Sequence, residues 1–418
     1  MTVASPSHPT QQAFPVASVR SDFPILKELV YGKPLIYLDN GATTHKPHCV
    51  IDRITNFYSK EYGTVRRGVY ALSMGATDAF NHTRNAVAQF INAPSVDDII
   101  FVSGATEAIN LVAHSYGLPF IGKGDAVLIT EMEHHANTVP WQLLCQRTGA
   151  ELRVIPLKDS GELDLTTLDT LLSDNVKLLA VTHLANSLGT INPIKELIDK
   201  AHAVGAVVLV DGAQSAPHLA VDVQALDCDF YCFSGHKVYG PTGVGVLYAK
   251  RALQEAMMPY QSGGDMIAVV DTVNGTTFAE PPAKFEAGTP AIASVVALAP
   301  ALEYLTSLGL DAIAAHEADL LAYATEQLNT IEGLTIIGQA KHKASLISFV
   351  VDGAHPLDIG TMLDQDGIAI RTGHHCAQPV MRRYGVSATA RLSVGIYNTR
   401  EDIDVFKASL SRVLTILR

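Results

Sequence analysis

Between residues 98 and 250 the chain alternates short apolar runs with longer amphipathic stretches. The runs are DIIFVSG (98–104), AVLITEME (126–133), LRVIPL (152–157), LLAVTHLAN (178–186), AVVLVDGAQ (206–214), CDFYCFSG (228–235) and VGVLYAK (244–250). Several are rich in Val, Ile and Leu without polar alternation, the pattern of strands buried on both faces. Between them lie helical patterns such as NPIKELIDKAHAVG (192–205), which ends on a glycine stop. The pattern predicts an α/β fold: a doubly wound, mainly parallel seven-stranded sheet flanked by helices.

After about residue 300 the pattern changes. A long helical stretch, ALAPALEYLTSLGLDAIAAHEADLLAYATEQLNTI, precedes SLISFVV, IAIRTG and RLSVGIY. Helices with a few strands predict a smaller α+β domain at the C-terminus. Residues 258–288 are Gly/Pro-rich and polar, an excursion or hairpin rather than core. The expected division is an N-terminal segment (1–30) packing with the small domain, a large domain (31–300) and a small domain (301–418).

Composition narrows the function classes. At 48% hydrophobic and 17% charged residues the chain is globular. A net charge of −12 argues against a nucleic-acid surface and gives no attraction to anionic membranes. No run approaches the roughly 18 apolar residues that span a bilayer. The first 20 residues lack the apolar core of a secretory signal. They read as a polar terminus, with a targeting role left open and the cytoplasm as the expected compartment. Five scattered cysteines, at 49, 145, 228, 232 and 376, fit a reducing compartment rather than a disulfide framework.

Four strand ends carry candidate chemistry. Lys237 follows Ser234, Gly235 and His236 where a buried strand ends, the place where open α/β sheets bind ligands. A partly desolvated lysine there can act as a nucleophile and form a Schiff base, and its natural partner is pyridoxal phosphate. Asp211 closes another apolar run and can keep a pyridine nitrogen protonated, with Gln214 three residues on. Gly104, Ala105 and Thr106 open a helix after a strand, a ready anion site, to which Ser234 and His236 can add donors. His134 and His135 end a fourth run; one imidazole of the pair can stack on the cofactor ring. Each signal has a bland counterpart: a solvated lysine, a capping Asp or Thr, a core histidine. Their convergence favours the cofactor.

YLDNGATT, GATEAIN, EHHAN, DGAQ, SGHK, FEAGTP and RTGHHCAQP together resemble a Suf-type (group II) cysteine desulfurase over nearly the whole chain. That family belongs to the class V aminotransferase-like, fold type I PLP-dependent transferases. The resemblance implies that the large domain binds pyridoxal 5'-phosphate and that the small domain carries the active-site cysteine loop. It makes Lys237 the Schiff-base lysine, Cys376 the residue that takes sulfur, and His134 the ring-stacking residue. Asp211 and Gln214 match ring contacts; Thr106, Ser234 and His236 match phosphate contacts. Thr289 matches a phosphate contact supplied across a homodimer interface. Asn186 and Arg391 match groups that hold the substrate carboxylate, and Arg371 flanks the active-site loop. The implied reaction converts L-cysteine to L-alanine and a persulfide. The sulfur goes on to an acceptor of the SufE or SufU type for iron–sulfur cluster assembly.

Two positions depart from the family pattern. Arg66 and Tyr70 stand where histidines are usual. A guanidinium can still reach an anion but cannot carry a proton as a neutral group. Three adjacent residues, His374, His375 and Cys376, make a poor metal site, so no metal is expected. Cys49, Cys145, Cys228 and Cys232 read as structural. Selenocysteine lyase remains the nearest alternative, and a transaminase or hydrolase on the same fold a more distant one that would not need Cys376.

Overall fold

The computed structural model describes residues 14–418. All seven apolar runs form strands of one sheet. From edge to edge these are Ile99–Val102, Gly245–Ala249, Phe230–Ser234, Val207–Asp211, Val176–Thr182, Ala126–Thr130 and Glu151–Ile155. Gly245–Ala249 runs antiparallel to both neighbours. The pairs from Phe230–Ser234 to Glu151–Ile155 are all parallel. The absence of alternation has its expected cause. Leu128, Leu179, Val208 and Val210 face one apolar cluster, while Val127, Leu178, Ala180 and Leu209 face another on the opposite side.

The C-terminal part forms a four-stranded antiparallel sheet, in the order Leu334–Ile337, Leu346–Val351, Thr389–Ser393, Arg371–Gly373. Helices Leu310–Asn329, Pro356–Asp364 and Arg400–Leu417 accompany it. Its core includes Ile347, Phe349, Leu392 and Phe406. Ile36 and Leu38 join that core, and Ile36–Tyr37 pairs in parallel with Ile368–Ala369. The long helical stretch is two helices rather than one. Leu298–Leu308 and Leu310–Asn329 meet at Gly309, whose φ of 82° ends the first. The polar excursion contains an exposed hairpin, Ile267–Asp271 with Gly275–Phe278. Among the described residues no single helix is long and apolar enough to cross a membrane.

Residues 1–13 of the expected N-terminal segment lie outside the described residues. From residue 14 the chain packs on its own C-terminal part. Phe14 stacks on His316 at 4.4 Å, buried Phe23 meets Tyr397 edge-on, and the Arg20 guanidinium donates to the Tyr397 carbonyl and to Asp402.

The reversed strand matters for the site because it begins beside the Gly104 turn. A Cβ on Gly245 would lie 2.4 Å from Gly104 Cα, so only glycine lets the two segments touch. Gly245→Ala should destabilise the protein by about 1–3 kcal/mol, the usual cost of overpacking. Because it displaces the Gly104–Thr106 turn, it should also weaken retention of a phosphate-bearing ligand. Urea titration and dialysis of the loaded protein measure the two effects; loss of neither would mean the contact is slack.

Candidate active site

Six of the seven strands point the same way, and their carboxyl ends share one edge. Asp211 ends its strand there. Beside it Phe230–Ser234 runs into the short turn Gly235–Lys237. The Ala105–Val112 helix opens from the Ile99–Val102 end, and His134 follows Ala126–Thr130. A cleft of about 200 Å³ lies over these ends. It is lined by Ala105, Thr106, His134, Asn186, Asp211, Gln214, Ser234, His236, Lys237, Arg371, Cys376 and Arg391. Gly104, His135 and Thr289 do not line this cleft; Thr289 is exposed, in the turn before Ile292–Val296.

The Lys237 turn is held from outside the sheet. The carbonyl of His236 accepts from the Thr44 amide, the Thr43 and Thr44 hydroxyls and the Lys46 ammonium, all within 2.9–3.1 Å. Burial pushes Lys46 down to about 7. Lys237 is half-buried, and the desolvation lowers its pKa to about 8; Asp211 pulls it up, and Arg391 and Arg371 push it further down. An amine in that range is about a tenth unprotonated at pH 7 and mostly free above pH 8, a far larger fraction than a solvated lysine offers.

Asp211 is buried, and burial raises its pKa while the Ala213 amide (2.9 Å) and Lys237 lower it. A protonated ring nitrogen beside it would supply the hydrogen-bond partner and counter-charge that the chain leaves it short of. His134 Nδ1 accepts from the Ala136 amide at 3.0 Å, which leaves Nε2 as the protonated nitrogen. Burial, then Lys237, depress its pKa to about 3, so it is a neutral ring near neutrality. Gln214 donates to the Gly41 carbonyl at 2.6 Å with one of its two amide hydrogens. The Ala105 amide is not free for an anion, contrary to the sequence reading: it donates to Ser234 Oγ at 2.9 Å. That bond leaves the Ser234 hydroxyl proton, with exposed Thr106, as the donors at the mouth.

The C-terminal part of the chain supplies cations and the thiol. Arg371 and Arg391 are directly opposed across an antiparallel pair. Two facing guanidiniums repel unless an anion sits with them. Asp39 provides part of it, accepting from Arg391 at 3.0 Å, while the Asn186 carbonyl accepts at 2.7 Å. Arg391 is 1% exposed, yet its Nε–H has no partner. A buried unpaired donor of this kind is expected where a carboxylate is to bind.

Cys376 and His375 both adopt left-handed backbone, at φ 55° and 52°. Non-glycine residues pay of order 1–3 kcal/mol each for that region. The loop is held by bonds from outside it: Asn186 Nδ2 donates to the His375 carbonyl (2.6 Å), and the His135 amide to the Cys376 carbonyl (2.7 Å). The His375 ring bonds Thr389 at 2.8 Å and is buried, so it shapes the loop. Cys228 and Cys232 are buried as expected; Cys49, read as structural, is exposed.

Sequence reading missed Asp39, Lys46 and Glu133. Glu133 is buried between the Thr130 hydroxyl, Asn137 and the Thr182 amide, and burial raises it to about 8. Its only sequence signal was a carboxylate inside an apolar run.

Comparison with known proteins agrees with this geometry. The aminotransferase class-V family model matches residues 36–406. The chain belongs to that family. A cysteine desulfurase of Dickeya dadantii (strain 3937) is 52% identical over 404 residues, 97% of this chain and 98% of its own length. One from Yersinia pestis (strain Pestoides F) is also 52% identical, over 97% of this chain and 99% of its own. Among solved structures, an Escherichia coli cysteine desulfurase in an S-sulfonic acid form superposes with a TM-score of 0.90 at 38% identity, covering 97% of this chain and all of that one. An apo cysteine desulfurase from Thermococcus onnurineus NA1 gives 0.91 at 37%, covering 99% and 100%. The cofactor is pyridoxal phosphate. The buried Asp211, the amine of Lys237 and the Ser234–Thr106 mouth fit its ring nitrogen, aldehyde and phosphate in turn.

Arg66 does not reach into this cleft. It pairs with buried Glu286, which also holds Arg84 through two bonds at 2.9 Å and the Phe101 amide at 2.8 Å. Arg66→Ala leaves Glu286 paired and should cost only about 1 kcal/mol. Arg391→Ala strands Asp39 without its cation and should cost about 3–5 kcal/mol. Urea midpoints rank the two variants; equal losses would mean Asp39 is solvated. The amine gives a second expectation. Covalent capture of pyridoxal phosphate by the apo protein, followed by visible absorbance, should rise with pH and level off near the Lys237 value of about 8. A rate still climbing toward about pH 10, the range of an ordinary lysine, would show that the side chain is solvated.

Proposed function

We propose that the protein is a pyridoxal-phosphate-dependent cysteine desulfurase that converts L-cysteine to L-alanine and leaves a persulfide on Cys376. The observation that carries this reading is a thiol on a strained loop lining the same cleft as a half-buried lysine and a buried aspartate. A transaminase has no use for that thiol. When bound, the cofactor joins the substrate's amino group and draws electrons from its Cα, which makes the Cα proton acidic and the C–S bond breakable.

The chain's own groups do the rest. Asp211 keeps the pyridine nitrogen protonated. Arg391, with its unpaired Nε–H, and Asn186 hold the substrate carboxylate, and Arg371 adds positive charge beside them. Lys237 is the amine available to take the Cα proton. His134 covers the ring as a neutral imidazole and offers Nε2–H. Cys376, as thiolate, attacks the substrate sulfur. The new S–S bond forms as the C–S bond breaks; its electron pair stays with the substrate carbon, which takes a proton to become the methyl of alanine.

Thr289 supports a homodimer in which each copy completes its partner's phosphate site. It is exposed and does not line its own cleft, and Val69 (94% exposed), Tyr70, Leu72 and Met74 leave an uncovered apolar stretch on the large domain. The reading extends to sulfur delivery from Cys376 to a SufE- or SufU-type acceptor for iron–sulfur cluster assembly in the cytoplasm. The units are taken as 31–300 and 301–418, with 1–30 packing on the latter.

Two variants separate the roles. Lys237→Ala should lose the visible band of the attached cofactor and all turnover. Cys376→Ser should keep the band yet release little alanine, and its loop peptide should carry no added sulfur by mass spectrometry. Full alanine release from Cys376→Ser, or a wild-type persulfide on another cysteine, would overturn the assignment.

A further inference from the structure

His134 and His135 are adjacent in sequence, and the structure gives them different neighbours. His134 lines the cleft; His135 does not. Its main-chain amide donates to the Cys376 carbonyl at 2.7 Å, and its ring Nε2 accepts from the Gln378 amide at 3.2 Å. Gln378 begins the helix Gln378–Arg383, so its N–H is one of the donors that a helix start leaves without an internal partner. The ring also lies 5.5 Å from that of His374, whose Nδ1 accepts from the Cys376 amide at 3.2 Å. The chain leaving the two-residue left-handed turn thus meets His135 twice, through the carbonyl of Cys376 and through the first helical amide.

We propose that His135 is a positioning residue for the sulfur-accepting cysteine: its Nε2 caps the helix after Cys376 and so fixes where the strained loop presents its thiol. Any residue at 135 keeps the main-chain bond to Cys376. Only a side chain with an acceptor at the distance of Nε2 keeps the helix cap. Accepting there requires the proton on Nδ1, so the neutral ring is the form that holds the loop. His135 therefore acts on Cys376 and not on the cofactor, although it neighbours the ring-stacking His134. The proposal rests on the reading of Cys376 as the sulfur acceptor.

The test compares His135→Ala, His135→Gln and His135→Asn in the loaded enzyme. A glutamine oxygen can stand where Nε2 stands, whereas an asparagine oxygen is too short to reach. One measurement is the rate of Cys376 alkylation by iodoacetamide, read by mass spectrometry of the loop peptide; the other is alanine release from L-cysteine. With Ala and Asn the alkylation rate should rise about threefold or more as the loop opens. Turnover should fall about tenfold or more at little-changed KM. His135→Gln should stay near wild type on both, and the cofactor's visible band should be intact in all three. Wild-type behaviour of His135→Ala and His135→Asn, or a fall in His135→Gln as deep as theirs, overturns the proposal. Loss of the band in His135→Gln also overturns it, by moving the residue to the cofactor. If wild-type enzyme forms no persulfide on Cys376, the desulfurase reading fails instead, and the alkylation contrast still decides whether His135 holds the loop.

Discussion

A parallel strand hands its chain on at its carboxyl end, and strands in one direction hand it on along one edge. Here six of seven do so. Asp211, the Lys237 turn, the Ala105–Val112 helix start and His134 lie within one cleft for that reason alone. The reversed strand Gly245–Ala249 serves the same edge from the other direction. Its first residue touches the Gly104 turn, next to Ala105 and Thr106 of the cleft. The C-terminal part of the chain then lines the cleft with side chains the large sheet does not supply: two arginines and a thiol.

The charges in that cleft are arranged around gaps. Lys237 is lowered by burial, Asp211 raised by it, and neither has enough partners in the chain to be settled. Arg391 is buried with one carboxylate, one carbonyl and one empty donor. The three gaps correspond to an aldehyde, a ring nitrogen and a carboxylate. In a low-dielectric site each gap raises the affinity of the group that fills it more than an equal gap in water would. His134, neutral near pH 7, adds ring surface without adding to the positive charge of two arginines and a lysine.

Continuous apolar runs report double-sided burial directly, and the seven strands were legible in the sequence within a few residues. The strand-end residues were legible too, because position in a parallel sheet predicts what a strand end faces. Pairing across distant segments was not. Asp39 belongs to the Arg391 site only because Ile36–Tyr37 pairs with Ile368–Ala369 and the Asp39 stretch meets Ser393. Lys46 reads as a surface lysine until the His236 carbonyl is seen to collect four donors. The Ala105 amide looked free because helix starts usually are; Ser234, 129 residues later, occupies it. The break at Gly309 was masked by strong helix formers on both sides, although the glycine itself was the signal.

Arg66 shows how a departure from a family pattern changes meaning in three dimensions. As a sequence it is a lost imidazole near a catalytic cleft. In the structure its guanidinium sits with Arg84 on Glu286, three residues before Thr289. Two cations on one buried carboxylate hold the FEAGTP segment to the Phe101 edge of the sheet. An arginine suits that place because its planar fork can bond a carboxylate oxygen while its own φ of 75° turns the chain away. Arg66 is therefore a tether and not a group of the cleft. The tethered segment carries Thr289, which does not line the cleft.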